Sequence, residues 1–327
     1  MRNYFWLRRL SVQTIIGLAC LLAFAACTSP NVTQKAIPTV TQSNGTPILP
    51  PILSPSATSV APPATGNTTL VYDDQMGAVL FLGDTHYINN QPEQTWIWDG
   101  SAWMHLHPAH EPSNRSNVAI AYDPATKQVV LFGGLSSLGN AKWLSDTWTW
   151  DGTDWTQQHP TASPPARDDA ATNQLVLFGG GSNKPLIGGL VPPPLNDTWV
   201  WTGTNWVQFH PQTSPNLFDM VNGQQVLYSY PNMVYNPQSQ QIFLLFGGDS
   251  QNDKVQAGWS WDGTNWSQAT VNGPPTSADT GDLLYDVKMQ AVLEMTDILP
   301  STSISFDTTL WKLEGQTWVK LDEWGLS

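Results

Sequence analysis

Cysteine is almost absent: Cys20 and Cys27 are the only two in 327 residues, and both precede the part of the chain that reads as a folded domain. That domain therefore has no disulfide, no thiolate metal ligand and no cysteine nucleophile. Base is scarce as well, with 13 Lys and Arg against 26 Asp and Glu. Arg2, Arg8 and Arg9 lie before Cys27 and no acid does, so the remainder carries ten bases against 26 acids, a net charge of −16. The ten are scattered, and without a basic patch to neutralise phosphates nucleic acid is not an expected partner. No GxSxG, HExxH or GK[ST] occurs, so no nucleophile elbow, zinc helix or phosphate loop announces catalysis. One long apolar run exists, LSVQTIIGLACLLAFAA at residues 10–26. At about 17 residues, with Gln13 and Thr14 inside it, it makes a poor spanning helix.

That run follows MRNYFWLRR, and basic-then-apolar is the layout of a secretory signal. Phe24-Ala25-Ala26-Cys27 resembles a bacterial lipoprotein cleavage box with Phe where Leu is usual. The resemblance implies a signal peptide over residues 1–27 with Cys27 lipidated, and an exported lipoprotein facing the bacterial cell surface or the periplasm, held to the membrane only by its anchor. Residues 28–66 are rich in Pro, Ser and Thr with almost no charge. Such a segment buries no core and reads as an extended tether, reaching about 120 Å at about 3.1 Å per residue.

What is abundant is tryptophan, 17 residues of it, and it recurs in register. QTWIWDGSAW, DTWTWDGTDW, DTWVWTGTNW, AGWSWDGTNW and, more weakly, TLWKLEGQTW end at Trp103, Trp155, Trp206, Trp266 and Trp318. Between Trp98, Trp150, Trp201, Trp261 and Leu313 the steps are 52, 51, 60 and 52 residues, the length of a four-stranded propeller blade. In the second copy NVAIAYD and QVVLFGG flank the turn DPATK and read as strands A and B. DTWTW alternates with period two as strand C, and Asp151-Gly152 turns the chain into strand D. The fold class expected is all-β, a propeller of five four-stranded blades over residues 67–327. The third blade carries a shortened inner hairpin, because Arg115 to Phe132 spans 17 positions and Arg167 to Phe178 only 11.

At the Gly-Gly pairs 133–134, 179–180 and 247–248, the spaced aromatics downstream of them and the Pro-rich links ending in Arg115 and Arg167, the chain resembles the kelch repeat family. The resemblance implies the propeller architecture of the galactose oxidase central domain. It does not imply that enzyme's copper radical chemistry, which needs a cysteine cross-linked to a tyrosine. Kelch propellers usually have six or seven blades and often complete one blade from both termini, whereas here strand A of copy one and strand D of copy five sit in phase with the chain ends. The Trp-Asp pairs at 98–99, 150–151 and 261–262 do not make the other propeller family with that dipeptide. Its period is 40–45 residues and it carries a Gly-His pair.

A–B and C–D connections are short in nearly every copy while B–C and D–A connections vary, and strand alternation puts both variable sets on one face. That face is where adaptable binding residues are expected on a rigid scaffold. The residues selected on it are Asp84, His86, Tyr87, Trp143, Tyr230, Asp249 and Asp282. Asp168, Asp169 and Asp297 join the acids placed near the mouth of the axis. Converging carboxylates there would hold calcium through oxygen ligands, though solvated loop acids are the plainer reading, and no other cofactor or metal is called for. His107, His159 and His210 share one repeat position and stand too far apart for one ion. His105, His107 and His110 are close in sequence and read as partly exposed packing, while the recurrent turn residues Asp99, Asp151 and Asp262, and Asp146 and Asp197 before strand C, read as parts of the blade. The tail residue Trp324 is expected to cover the last blade. The functional expectation is an extracellular module binding a glycan or protein, without catalytic residues. The alternatives are a carbohydrate-active hydrolase or lyase with acids at the axis mouth, and a structural spacer.

Overall fold

The computed structural model describes residues 68–73, 75–83, 94–99, 102–136, 142–173, 175–181, 194–221, 224–227, 231–246, 257–272, 282–286, 288–298 and 307–325. Every regular element among them is a strand. The expected signal, the expected lipidation site Cys27 and the expected tether lie outside the described residues.

Five antiparallel four-stranded sheets follow one another along the chain, each with its strands in sequence order. The first is built from Thr68–Asp73, Ala78–Gly83, Gln94–Trp98 and Trp103–His105, and the second from Ala119–Asp123, Gln128–Phe132, Thr147–Trp150 and Trp155–Gln158. The third contains Ala171–Asn173, Val176–Phe178, Thr198–Trp201 and Trp206–Phe209. The fourth contains Asn232–Asn236, Gln241–Phe246, Ala257–Trp261 and Trp266–Ala269, and the fifth Asp282–Asp286, Ala291–Ile298, Asp307–Glu314 and Thr317–Gly325. The up-and-down meander expected of a blade is thus present in all five copies. The segment EWG continues the last strand, where Trp324 pairs with Thr308; the side chain of Trp324, expected to cover the last blade, lies outside the description.

The sequence dictates the inner hairpins at two points. An Asp or Asn closes strand A and turns its carbonyl-type oxygen back on the turn: Asp73 Oδ1 accepts from the amides of Gln75 and Met76, Asp123 Oδ1 from Ala125 and Thr126, and Asn236 Oδ1 from Gln238. The residue before strand B is left-handed every time, at Gly77, Lys127, Leu175, Gln240 and Gln290. In the third sheet the hairpin is short as expected, and the six missing residues are located: two from each strand and two from the turn. Ala171 pairs with Phe178 and Asn173 with Val176, where the second sheet runs from Ala119 with Phe132 to Asp123 with Gln128. Three pairs hold less than five. Amides of Ala171–Phe178 are expected to exchange at least about tenfold faster than those of Ala119–Phe132 in native-state hydrogen exchange; equal protection would contradict this.

The chain resolves into two compact units, Met1–Asp168 with Trp201–Val207, and Asp169–Val200 with Gln208–Ser327. In the first, Trp150 and Trp155 are fully buried against Met76, Ile97, Ile120, Val129 and Leu131. In the second, Trp261 and Trp266 are buried with Phe178, Ile242, Leu244 and Phe246, and Trp318 with Val234, Phe243, Leu245 and Val292.

One hydrogen bond recurs in the second, third and fourth copies. The indole of the first strand-D residue donates to a threonine of strand C in the preceding sheet: Trp155 to Thr95 Oγ1 at 3.1 Å and Trp206 to Thr147 at 2.9 Å in the first unit, and Trp266 to Thr198 at 2.9 Å in the second. The series breaks at Trp318, whose Nε1 is buried without a partner. Three residues before Trp261, where Thr147 stands relative to Trp150, the chain has Gly258. A Cβ there would lie 2.9 Å from Val271 Cγ2 and 3.1 Å from the Ala269 carbonyl oxygen, so a threonine does not fit. Trp155→Phe is therefore expected to cost about 1 kcal/mol more than Trp318→Phe, since only the former removes a buried hydrogen bond. Denaturant midpoints of the two variants check it.

Candidate functional site

The variable connections are described most fully over the second sheet. Strand B of that sheet ends in Gly133 and Gly134, both left-handed, with φ of 67° and 97°. A Cβ on Gly133 would meet the Arg167 carbonyl oxygen at 2.7 Å and one on Gly134 the Ser116 oxygen at the same distance. Glycine lets two links close over the strand end. Arg167 lends its carbonyl to the Gly134 amide and its own amide to Leu144 O. Arg115–Ser116 pairs with Leu135–Ser136, which pairs with Lys142–Trp143, giving a small three-stranded sheet. A D–A link and a B–C loop thus share one surface, a pairing that the propensities of two-residue strands do not reveal.

Beneath this surface sits Arg115, almost fully buried. Its guanidinium donates to both carboxylate oxygens of Asp146 at 2.6 and 2.9 Å, to Gly133 O at 3.1 Å, and to Ser113 O and Oγ at 2.9 and 3.0 Å. Trp148 Nε1 adds a bond to Asp146 Oδ2 at 2.8 Å. Burial pushes the Asp146 carboxyl upward, but the bonds and charge of Arg115 and the Trp148 indole outweigh it and hold the group below the usual carboxylate range. This constellation is a brace for the link.

Beside it, Trp143, held on its two-residue strand, donates its indole N–H to Asp168 Oδ1 at 2.9 Å. Near the same carboxylate Asn117 takes a left-handed position, φ 56°, and its Oδ1 is buried without a partner. Asp169 occupies the equivalent place in the next repeat at φ 50°; Asn and Asp tolerate this conformation better than other side chains. Burial raises the Asp168 carboxyl above its ordinary value, only partly offset by the Trp143 bond, its own amide and the nearby Asn117. Both Trp143 and Asp168 are half-buried. The corner offers an aromatic ring, a carboxylate with lone pairs to spare and no cation paired with it among the described residues.

Of the residues selected from sequence, Trp143 and Asp168 are brought together. Asp84, His86, Tyr87, Tyr230 and Asp249 lie outside the described residues. Asp282 opens strand A of the fifth sheet, its side chain outside the description. Asn117 was not singled out, although its place two residues after Arg115 matches that of Asp169 after Arg167.

The histidines take part in packing. His105 stacks on Trp96 at 4.5 Å between ring centroids and meets His107 edge-on at 4.2 Å. Burial, with His107 beside it, lowers its pKa. His110 instead contacts Asp154, Nδ1 to Oδ2 at 2.7 Å and its amide to Oδ1 at 2.8 Å. The Ala162 amide to Asn205 Oδ1 at 3.0 Å and the Gln212 amide to Asn265 Oδ1 at 2.9 Å repeat that clasp. At the outer edge, then, D–A links grip the next C–D turn, a crossing that strand alternation alone does not anticipate and sheet twist permits. Asp151 and Asp262 cap their own turns. Among the described residues no three His, Cys, Asp or Glu side chains are placed to hold a metal ion.

No protein-family model and no curated protein matches the sequence. Solved structures similar to the chain include the SapL1 lectin in complex with alpha methyl fucoside, at 10% identity over 79% of this chain and 80% of that one with a TM-score of 0.44. A polysaccharide lyase, an ulvan lyase, matches at 11% identity over 78% and 69% with a TM-score of 0.42. An exo-beta-1,3-galactanase from Phanerochaete chrysosporium matches at 13% over 80% and 64% with a TM-score of 0.39. At these identities and scores they assign no residue a role.

Proposed function

We propose that this chain is a surface-tethered, kelch-like propeller that binds an extracellular glycan or protein through the face carrying its B–C and D–A connections, with lipidated Cys27 as its anchor. The observation that carries the reading is the Trp143 indole, fixed by Asp168 on a loop sheet that the Arg115 brace makes rigid. A rigid, partly exposed aromatic beside a hydrogen-bonding carboxylate suits stacking and polar contact with a ligand at low ordering cost. The remaining selected residues, Asp84, His86, Tyr87, Tyr230, Asp249 and Asp282, belong to the same proposal.

Screening the purified protein against polysaccharides and surface proteins tests it. Trp143→Ala is expected to weaken the detected binding at least about tenfold, in line with the loss of an aromatic hot spot. Unchanged affinity in both Trp143→Ala and Tyr87→Ala would remove the face from consideration. The raised pKa of Asp168 favours one second reading, a glycan hydrolase or lyase with Asp168 as general acid. New reducing ends released from a bound polysaccharide, and their loss in Asp168→Asn, would establish that reading.

A further inference from the structure

The Trp143 corner also restricts which ligand it takes, an inference that rests on the binding function proposed above. We infer that the corner of Trp143, Asp168 and Asn117 is built for an uncharged, hydroxyl-rich sugar and discriminates against acidic glycans. The ligand must bring hydrogen-bond donors, because the corner holds acceptors. A carboxylate accepts at about four lone-pair sites, and the Trp143 indole occupies only one of them. Asn117 Oδ1 also lacks a partner but is buried, so the acceptors a ligand reaches are those of Asp168. The Trp143 N–H is spent on Asp168, so the indole contributes its ring and no donor. Sugar hydroxyls provide the donors, and the C–H face of a pyranose fits the ring.

Among the described residues a uronate or sulfate would find no cation there. All five guanidinium N–H groups of Arg115 are committed to Asp146, Ser113 and Gly133. Lys142 neighbours Trp143 on a two-residue strand, where successive side chains project to opposite faces. An anionic sugar would therefore approach Asp168 without compensation, in a chain whose region after Cys27 carries ten bases against 26 acids. Like charge brought close to a half-buried carboxylate is a repulsive element, and repulsion is as effective as attraction in setting specificity.

The test uses the full-length protein in detergent and two pairs of probes, a neutral galactan against polygalacturonate and dextran against dextran sulfate. The expected result is binding to at least one neutral member that Trp143→Ala weakens about tenfold or more, with its acidic counterpart bound at least about tenfold more weakly at low salt. Asp168→Asn, which removes the charge and keeps an acceptor for Trp143, is expected to narrow the neutral-to-acidic ratio at least about fivefold, whatever it does to either affinity alone. Raising the salt concentration should narrow the same ratio in the parent protein, since screening weakens a charge penalty. Acidic glycans bound as tightly as neutral ones, in a manner that Trp143→Ala abolishes, would overturn the inference and leave the binding face standing. Binding of these probes that is indifferent to Trp143→Ala, or no binding at all, would overturn the binding role of this corner and the inference with it.

Discussion

Arg115→Ala is expected to destabilise the protein by about 3–5 kcal/mol, the cost of removing one partner of a buried charge pair. The guanidinium is 1% exposed and Asp146 21%, so little water is available to replace the lost bonds. The substitution strands the Asp146 carboxylate and Gly133 O and releases the Ser113 end of the link. At roughly 2–4 °C per kcal/mol for a chain of this size the melting point should fall by on the order of 10 °C. Arg115→Lys is expected to recover only part of this, since a lysine ammonium is a point charge and does not reproduce a two-pronged contact with a carboxylate. The pair also gives a pH signature. Because the folded-state pKa of Asp146 is depressed, its stabilising contribution is present above the ordinary carboxylate pKa and is lost as pH falls through the lower folded value. Stability of the parent should therefore drop more steeply in acid than that of Arg115→Ala. Parallel acid profiles in thermal melts would show that the Arg115–Asp146 contact is not the brace described.

The fold was legible because one unit is written five times. Tryptophan spacing marks strands C and D, and Asp73, Asp123 and Asn236 mark the inner turns; each is a local signal that the backbone follows directly. Even the shortened third hairpin could be counted from Arg167 to Phe178. What could not be read was whatever depends on a residue far away in sequence. Thr95, Thr147 and Thr198 look like ordinary strand residues until the indole from the next sheet arrives, and Gly258 looks like a weak strand position until Val271 is seen against it. The three-stranded sheet of Arg115–Ser116, Leu135–Ser136 and Lys142–Trp143 is made of segments too short to have a period.

The candidate site was half visible for the same reason. Trp143 stood out as an aromatic outside the repeat, and Asp168 as an acid where strand A begins, but nothing in the sequence joins residues 25 positions apart. Asn117 carried a fainter signal. An Asn or Asp two residues after the link arginine suggests a left-handed turn, and the consequence, a side chain placed near Asp168, needs the fold. Arg115 and Arg167 looked like two copies of a motif, and their motif role has an equal claim on them: the buried brace of Arg115 keeps every donor away from a ligand.

Trp150→Ala should be as damaging as the loss of the brace, by a different route. Trp150 is fully buried, pairs with Val129 and Trp155 across its sheet and meets the Trp155 ring at 5.5 Å. Burial of a ring of roughly 150–250 Å² is worth about 4–6 kcal/mol at about 25 cal/mol per Å², an upper bound that assumes an extended unfolded chain. Truncation to alanine in a packed core is expected to cost about 3–5 kcal/mol. A melting point within a couple of degrees of the parent would contradict this. Trp150→Phe separates packing from polarity. The Trp150 Nε1 is buried without a hydrogen-bond partner, as are those of Trp98 and Trp201 at the same repeat position. Phenylalanine removes that unsatisfied donor while losing part of the ring, so Trp150→Phe should cost about 1–2 kcal/mol, well below alanine, because no bond is broken. If it proved as harmful as Trp150→Ala, the indole N–H would have to be engaged, and the tilted tryptophan pairs recurring at 150–155, 201–206 and 261–266 would be held by more than shape and area.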